Sequence, residues 1–169
     1  MLGLIERETR DDPQFGRLVR KKTWSALVHL ADLLGTPGAG AWSGTLRTPL
    51  FPESALRISV KARDELELTA LRRHLAQVVA HAEQIRLQIA HEAFETYRLY
   101  REQEGAAKGY PDITSADAIW PLIKPLMWYF ALGSSHYKSC VEIDFGWPNP
   151  HFLVAKLDDT ELYVLEVQG

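Results

Sequence analysis

The chain has 169 residues, 46% of them hydrophobic and 24% charged, which suits one globular domain with its own core and argues against a disordered chain. A net charge of −3 argues against an obligate nucleic-acid binder, whose footprint is a clustered basic face. Cys140 is the only cysteine, so no intrachain disulfide can form and a reducing compartment is expected. The opening MLGLIERETRDD holds no extended apolar run, so neither a secretory signal nor a membrane span is expected there, and the location expected is cytoplasmic.

In chain order, Asp12-Pro13 introduces a predicted first strand over Phe15 to Arg20. Arg17, Arg20, Lys21 and Lys22 cluster there and read as a solvated edge. Trp24, Leu27, Val28, Ala31 and Leu34 recur at helical spacing between a Thr23 cap and Gly35, which predicts a short helix. TPGAGA at 36–41 is a loop by its Pro and Gly content. Trp42 to Arg47 and Leu56 to Lys61 pair around the proline-bearing PLFPES turn. Leu56, Ile58 and Val60 alternate with Arg57, Ser59 and Lys61, so one face of that strand is buried and the other wet.

From Leu68 to Gln103 no Gly or Pro interrupts, and Leu68, Leu71, Leu75, Val78, Ala82, Ile85 and Ile89 recur at steps of three and four. A single helix of that length runs ~50 Å, against a domain diameter of about 40 Å, so it must bend or protrude. The stripe then drifts through Ala93, Tyr97 and Tyr100, as a 3.6-residue period requires, which favours a helix laid on a sheet over a dimeric coiled coil. GAAKGYPD at 105–112 is a loop. Thr114 or Ser115 caps a helix containing Ala118, Ile119, Leu122 and Ile123 that Pro125 ends, and Leu126 to Leu132 is a strand.

Tyr137 to Gly169 reads as three strands. With Trp147-Pro148-Asn149-Pro150 as the turn, Gly146 lies opposite His151, and Val141, Ile143 and Phe145 share the core face with Phe152 and Val154. An Asp158-Asp159-Thr160 turn adds Leu162 and Val164 to it. The second face then carries Glu142 and Asp144 beside Leu153 and Ala155, followed by Tyr163, Leu165 and Val167. That much apolar surface calls for a cover, either the Trp24 to Leu34 helix or a partner.

Glu142 and Asp144 could serve general acid/base chemistry or a divalent cation, or be strand charges that meet a basic partner. No third ligand is fixed beside them, so no metal and no cofactor is expected. His74 with His81, and His91 with Glu95, have ligand-like spacing but lack an H-E-x-x-H or a cysteine pair, and read as solvated helix residues. Cys140 and His136 lie ~13 Å apart along an extended strand, too far for a thiolate dyad. No glycine pattern suits a phosphate loop.

Phe15-Gly16-x-Leu18, Trp42-x-Gly44, a long helix, Thr114-Ser115 opening a helix, and a final Trp147-x-x-x-His151 hairpin together resemble a group of small bacterial domains of unknown function. Their last hairpin often reads W-D-x-E-H-G, and they often accompany polymorphic toxin systems, where several look like immunity proteins. Here Pro148, Pro150 and Phe152 stand in place of that Asp, Glu and Gly, and Lys21 to Ala41 looks like an insertion.

The expected architecture is therefore a single α+β domain over 1–169, a mostly antiparallel sheet packed against one long helix, with shorter helices. The resemblance implies an immunity protein for a cognate toxin, and with the charge and the helix pattern the expectation is a non-catalytic, protein-binding monomer that engages neither nucleic acid nor membrane. The partner-binding candidates are Glu142, Asp144, Asp158, Asp159 and Glu161 as acidic contacts, Trp147 and Tyr163 as aromatic anchors, and His151 in the hairpin. Two rivals are an enzyme or small-molecule binder built on Glu142, Asp144 and His151, and a structural homodimer through the long helix.

Overall fold

The structure is a computed structural model that describes residues 6–22, 41–104, 109, 111–133, 136–145 and 152–168. Among the described residues eight strands form one sheet in chain order: β1 Glu6–Asp12, β2 Gly16–Lys22, β3 Trp42–Leu46, β4 Leu56–Lys61, β5 Lys124–Ala131, β6 Ser139–Asp144, β7 Phe152–Leu157 and β8 Leu162–Gln168. Every neighbouring pair is antiparallel except β4 with β5. A parallel pair needs a crossover, and the two helices α1 Glu65–Ala80 and α2 Ala82–Glu104 supply it. Two four-stranded meanders are thus joined at the middle of the sheet.

The expected architecture is corrected here. One long helix does not pack on the sheet; two do, and the sheet is mixed. The break falls at His81, whose backbone N–H reaches the carbonyls of Gln77 and Val79 and whose ring Nδ1 lies 2.9 Å from the Gln77 carbonyl oxygen. No Gly or Pro marks the site, so periodicity alone runs straight through it. The apolar stripe itself matches its period: Leu68, Leu71, Leu75, Val78, Ala82, Ile85, Ile89, Ala93 and Tyr97 are all buried. Asp64 caps α1 by accepting the Glu67 N–H at 2.8 Å, while the Glu67 carboxylate turns back to accept the Arg63 N–H, a variant of the capping box.

The helix predicted after Ser115 is a 3-10 helix, Asp117–Leu122. β1 has no counterpart among the predicted strands, because ERETRDD shows no apolar alternation; it is a charged edge strand. Its hairpin to β2 depends on Asp12, whose Oδ1 accepts the N–H groups of Gln14 and Phe15 at 3.0 Å each. Gly16 follows with φ +71°, the left-handed residue that ends such three-residue loops. Asp12 Oδ2 takes the Arg72 guanidinium at 2.7 Å, which ties the hairpin to α1. The helix predicted over Trp24 to Leu34 lies outside the described residues.

The core fills the space between the helices and one sheet face. Across that face run the rows Trp42, Val60, Phe130, Ser139, Leu157 and Gly44, Ile58, Trp128, Val141, Ala155. Gly44 has a packing reason: a Cβ there would sit 2.9 Å from the Arg17 carbonyl oxygen and 3.0 Å from Leu18 Cδ2. Gly44→Ala is therefore expected to prise β2 from β3 and lower unfolding stability by about 1–3 kcal/mol, read by denaturant titration. Among the described residues no helix is long and apolar enough to cross a membrane.

Candidate functional site

The face of the sheet turned away from the helices carries the densest chemistry. Its rows follow from the register: Ser59, Tyr129, Cys140, Lys156, Val164, and beside them Arg57, Met127, Glu142, Val154, Glu166. This corrects the predicted faces. Ile143 pairs with Leu153 and Val141 with Ala155, so Leu153 and Ala155 are core residues, and Val154, itself buried, flanks Glu142 on the face turned away from α1 and α2. The predicted hairpin pairing is one residue out, and a one-residue slip in a strand pairing exchanges its two faces. Lys156 is the missed signal: the predicted register turns it into the core, whereas the observed one turns Leu157 there.

Tyr129 stands beside Glu142, and burial, then that neighbouring carboxylate, holds the phenol above its ordinary range. Lys156 Nζ lies 2.5 Å from Glu166 Oε1 and 5.0 Å from the centre of the Tyr137 ring, and the Glu166 hydrogen bond raises its pKa. Cys140 stands between these pairs. Burial, then the neighbouring Glu142, pushes its thiol up to about 11, so at neutral pH it is a protonated, weakly nucleophilic group. Asp144 follows Glu142 on the same face, half-buried. The cluster is a polar patch in which Lys156 holds Glu166, and Glu142 stands beside Tyr129 and Cys140.

The acidic β7–β8 turn does other work. Asp159 Oδ1 lies 3.0 Å from His74 Nδ1, and His74 Nε2 lies 2.8 Å from Ser139 Oγ. Lys138 Nζ reaches Asp159 at 2.5 Å and Asp158 at 3.1 Å. Burial would raise the Asp159 pKa, but Lys138 and His74 together hold it below the usual carboxylate range. An ionised Asp159 only accepts, so His74 donates from Nδ1–H and accepts a hydrogen bond from the Ser139 hydroxyl at Nε2. The connectivity is that of a Ser-His-Asp hydrolase triad. Its accessibility is not: His74 is 0% exposed and Ser139 2%, so no acyl group can approach Oγ. The network is a buried pin between α1, β6 and the β7–β8 turn, and His74 is not the solvated residue its spacing suggested.

Tyr163 lies at a register shift in β8, half-exposed beside the His136 ring at 6.0 Å, and lines a groove of about 470 Å³ between α2 and β8. Of the eight predicted partner-binding residues, the sheet brings Glu142 and Asp144 together on the open face. Asp158 and Asp159 are engaged by Lys138, Glu161 is exposed at the turn, and Tyr163 belongs to the helix side. Trp147 and His151 lie outside the described residues. Tyr129, Lys156 and Glu166, which build the patch, are not among the predicted candidates. Among the described residues no group of three or more His, Cys, Asp or Glu side chains is placed to hold a metal ion. No family model, curated protein or solved structure matches this chain.

Proposed function

We propose that the chain is a non-catalytic protein-binding domain, most concretely a cytoplasmic immunity protein that occupies a cognate bacterial toxin through the open face of β5 to β8. The observation that carries this reading is the Glu142 patch. On the side of the sheet away from the helices Lys156 holds Glu166 in an ion pair, and Tyr129 stands beside Glu142. Groups already held in place lose little conformational freedom on binding, which is the condition for a preformed recognition surface. A basic, substrate-binding cleft is the complementary partner, and blocking it demands no chemistry from the inhibitor. A stable complex needs about 800 Å² from each side, which four strands can present.

The test is co-expression with the products of adjacent genes, scoring growth and co-purification. A toxic neighbour that this chain neutralises and binds supports the reading. Glu142→Lys with Asp144→Lys should abolish both effects; a complex that survives both changes puts the contact elsewhere, and absence of any toxic neighbour removes the immunity function.

A further inference from the structure

The two edges of the sheet are unlike. In β1 the edge carries Arg7, Glu8, Arg10 and Asp11, charges of the kind that deter strand addition. At the other end β8 reads LYVLEVQ, with a single charge in seven residues, and that charge is satisfied within the chain by Lys156. Among the described residues no strand lies beyond β8. Tyr163 is 52% exposed, Val167 36%, and Leu87 on the adjoining α2 is 60% exposed.

We propose that β8 pairs antiparallel with β8 of a second copy of this chain, across a two-fold axis through Leu165. Leu165 is the midpoint of Leu162–Gln168, so this register pairs the most residues on the stretch that follows the shift after Leu162. It sets Leu165 opposite its own copy, Tyr163 opposite the second copy's Val167, and Val164 opposite the second copy's Glu166. Residues opposed in an antiparallel pair point to the same side, so Tyr163, Leu165 and Val167 form one continuous apolar row on the helix side. Centring the axis one residue later would oppose two Glu166 carboxylates, and centring it one earlier would set Glu166 against Leu162 and shorten the pairing. A monomer is the expectation when the long helix is the only self-association surface considered; the β8 edge is a separate one. The dimer leaves the open-face patch free on both copies.

The experiment is light scattering on the purified chain at rising concentration. The wild type should approach twice the monomer mass. Tyr163→Lys and Val167→Glu, both at exposed positions and checked for retained fold by circular dichroism, should each weaken self-association about tenfold by placing a charge in the apolar row. The double variant should recover it, since the ammonium introduced at position 163 then faces the carboxylate introduced at position 167 of the other copy. Within one chain those positions are four residues apart, ~13 Å along the strand, too far to rescue each other. A wild type that stays at monomer mass overturns the proposal. So does a dimer indifferent to the single changes, or a double variant no better than the singles.

Discussion

His74→Ala is expected to lower unfolding stability by about 3–4 kcal/mol, because it empties a fully buried site and orphans the Ser139 hydroxyl while stripping Asp159 of one partner. For a chain of this size that corresponds to a fall of about 10 °C in Tm. Ser139→Ala should cost only about 1–2 kcal/mol, since the His74–Asp159 bond survives it. The pair of values separates a structural pin from a catalytic apparatus, whose residues need not support the fold.

The same residue sets the onset of acid destabilisation. Burial penalises the imidazolium and holds the His74 pKa below its ordinary 6.5, although Asp159 pulls the other way. Below pH 6.5 the unfolded chain therefore binds a proton that the folded chain refuses, and stability falls as pH falls from there toward the depressed folded value. Asp12 and Asp159 are also held low, against an ordinary 3.8, so a second loss follows below about pH 4. His74→Ala should flatten the first limb and leave the Asp12 part of the second.

Arg72→Ala is the second large effect. Asp12 has a side chain with 0% exposure, and burial alone would raise its pKa; Arg72 and the N–H groups of Phe15 and Gln14 outweigh that and hold it ionised. Removing the guanidinium leaves a buried carboxylate with only backbone donors. The expected loss is about 2–3 kcal/mol, at the low end for one-sided removal of a buried pair because Arg72 borders solvent. Arg72→Lys should recover only part of it, since Nε and Nη2 both reach Asp12 Oδ2, at 3.0 and 2.7 Å, and an ammonium lacks that planar fork. Denaturant titration above about pH 6.5 isolates this effect from the His74 limb.

These two pins also show where reading the chain stops. The α1–α2 stripe, the β3–β4 pair and the C-terminal strands are legible because apolar residues repeat at a period near 3.6 or 2. The charged β1 is not, since an edge strand needs little apolar alternation. The break at His81 escapes because it is one residue wide, with backbone bonds from His81 to Gln77 and from Ile85 to His81 on either side, and carries neither Gly nor Pro. The site is half legible: alternation puts Glu142 and Asp144 on one face in any register, but their neighbours depend on a turn length that two prolines leave undetermined. His74, Ser139 and Asp159 meet from three distant segments, and no local pattern announces them.

The protein recognition proposed for the sheet face around Glu142 rests on that carboxylate. Its most direct test is an isothermal titration of the purified chain with the product of the adjacent gene, in catalytically dead form. Saturable binding is expected that Glu142→Lys weakens at least about tenfold, while Leu66→Lys on the exposed side of α1 leaves it unchanged. Binding that Glu142→Lys does not alter would contradict it.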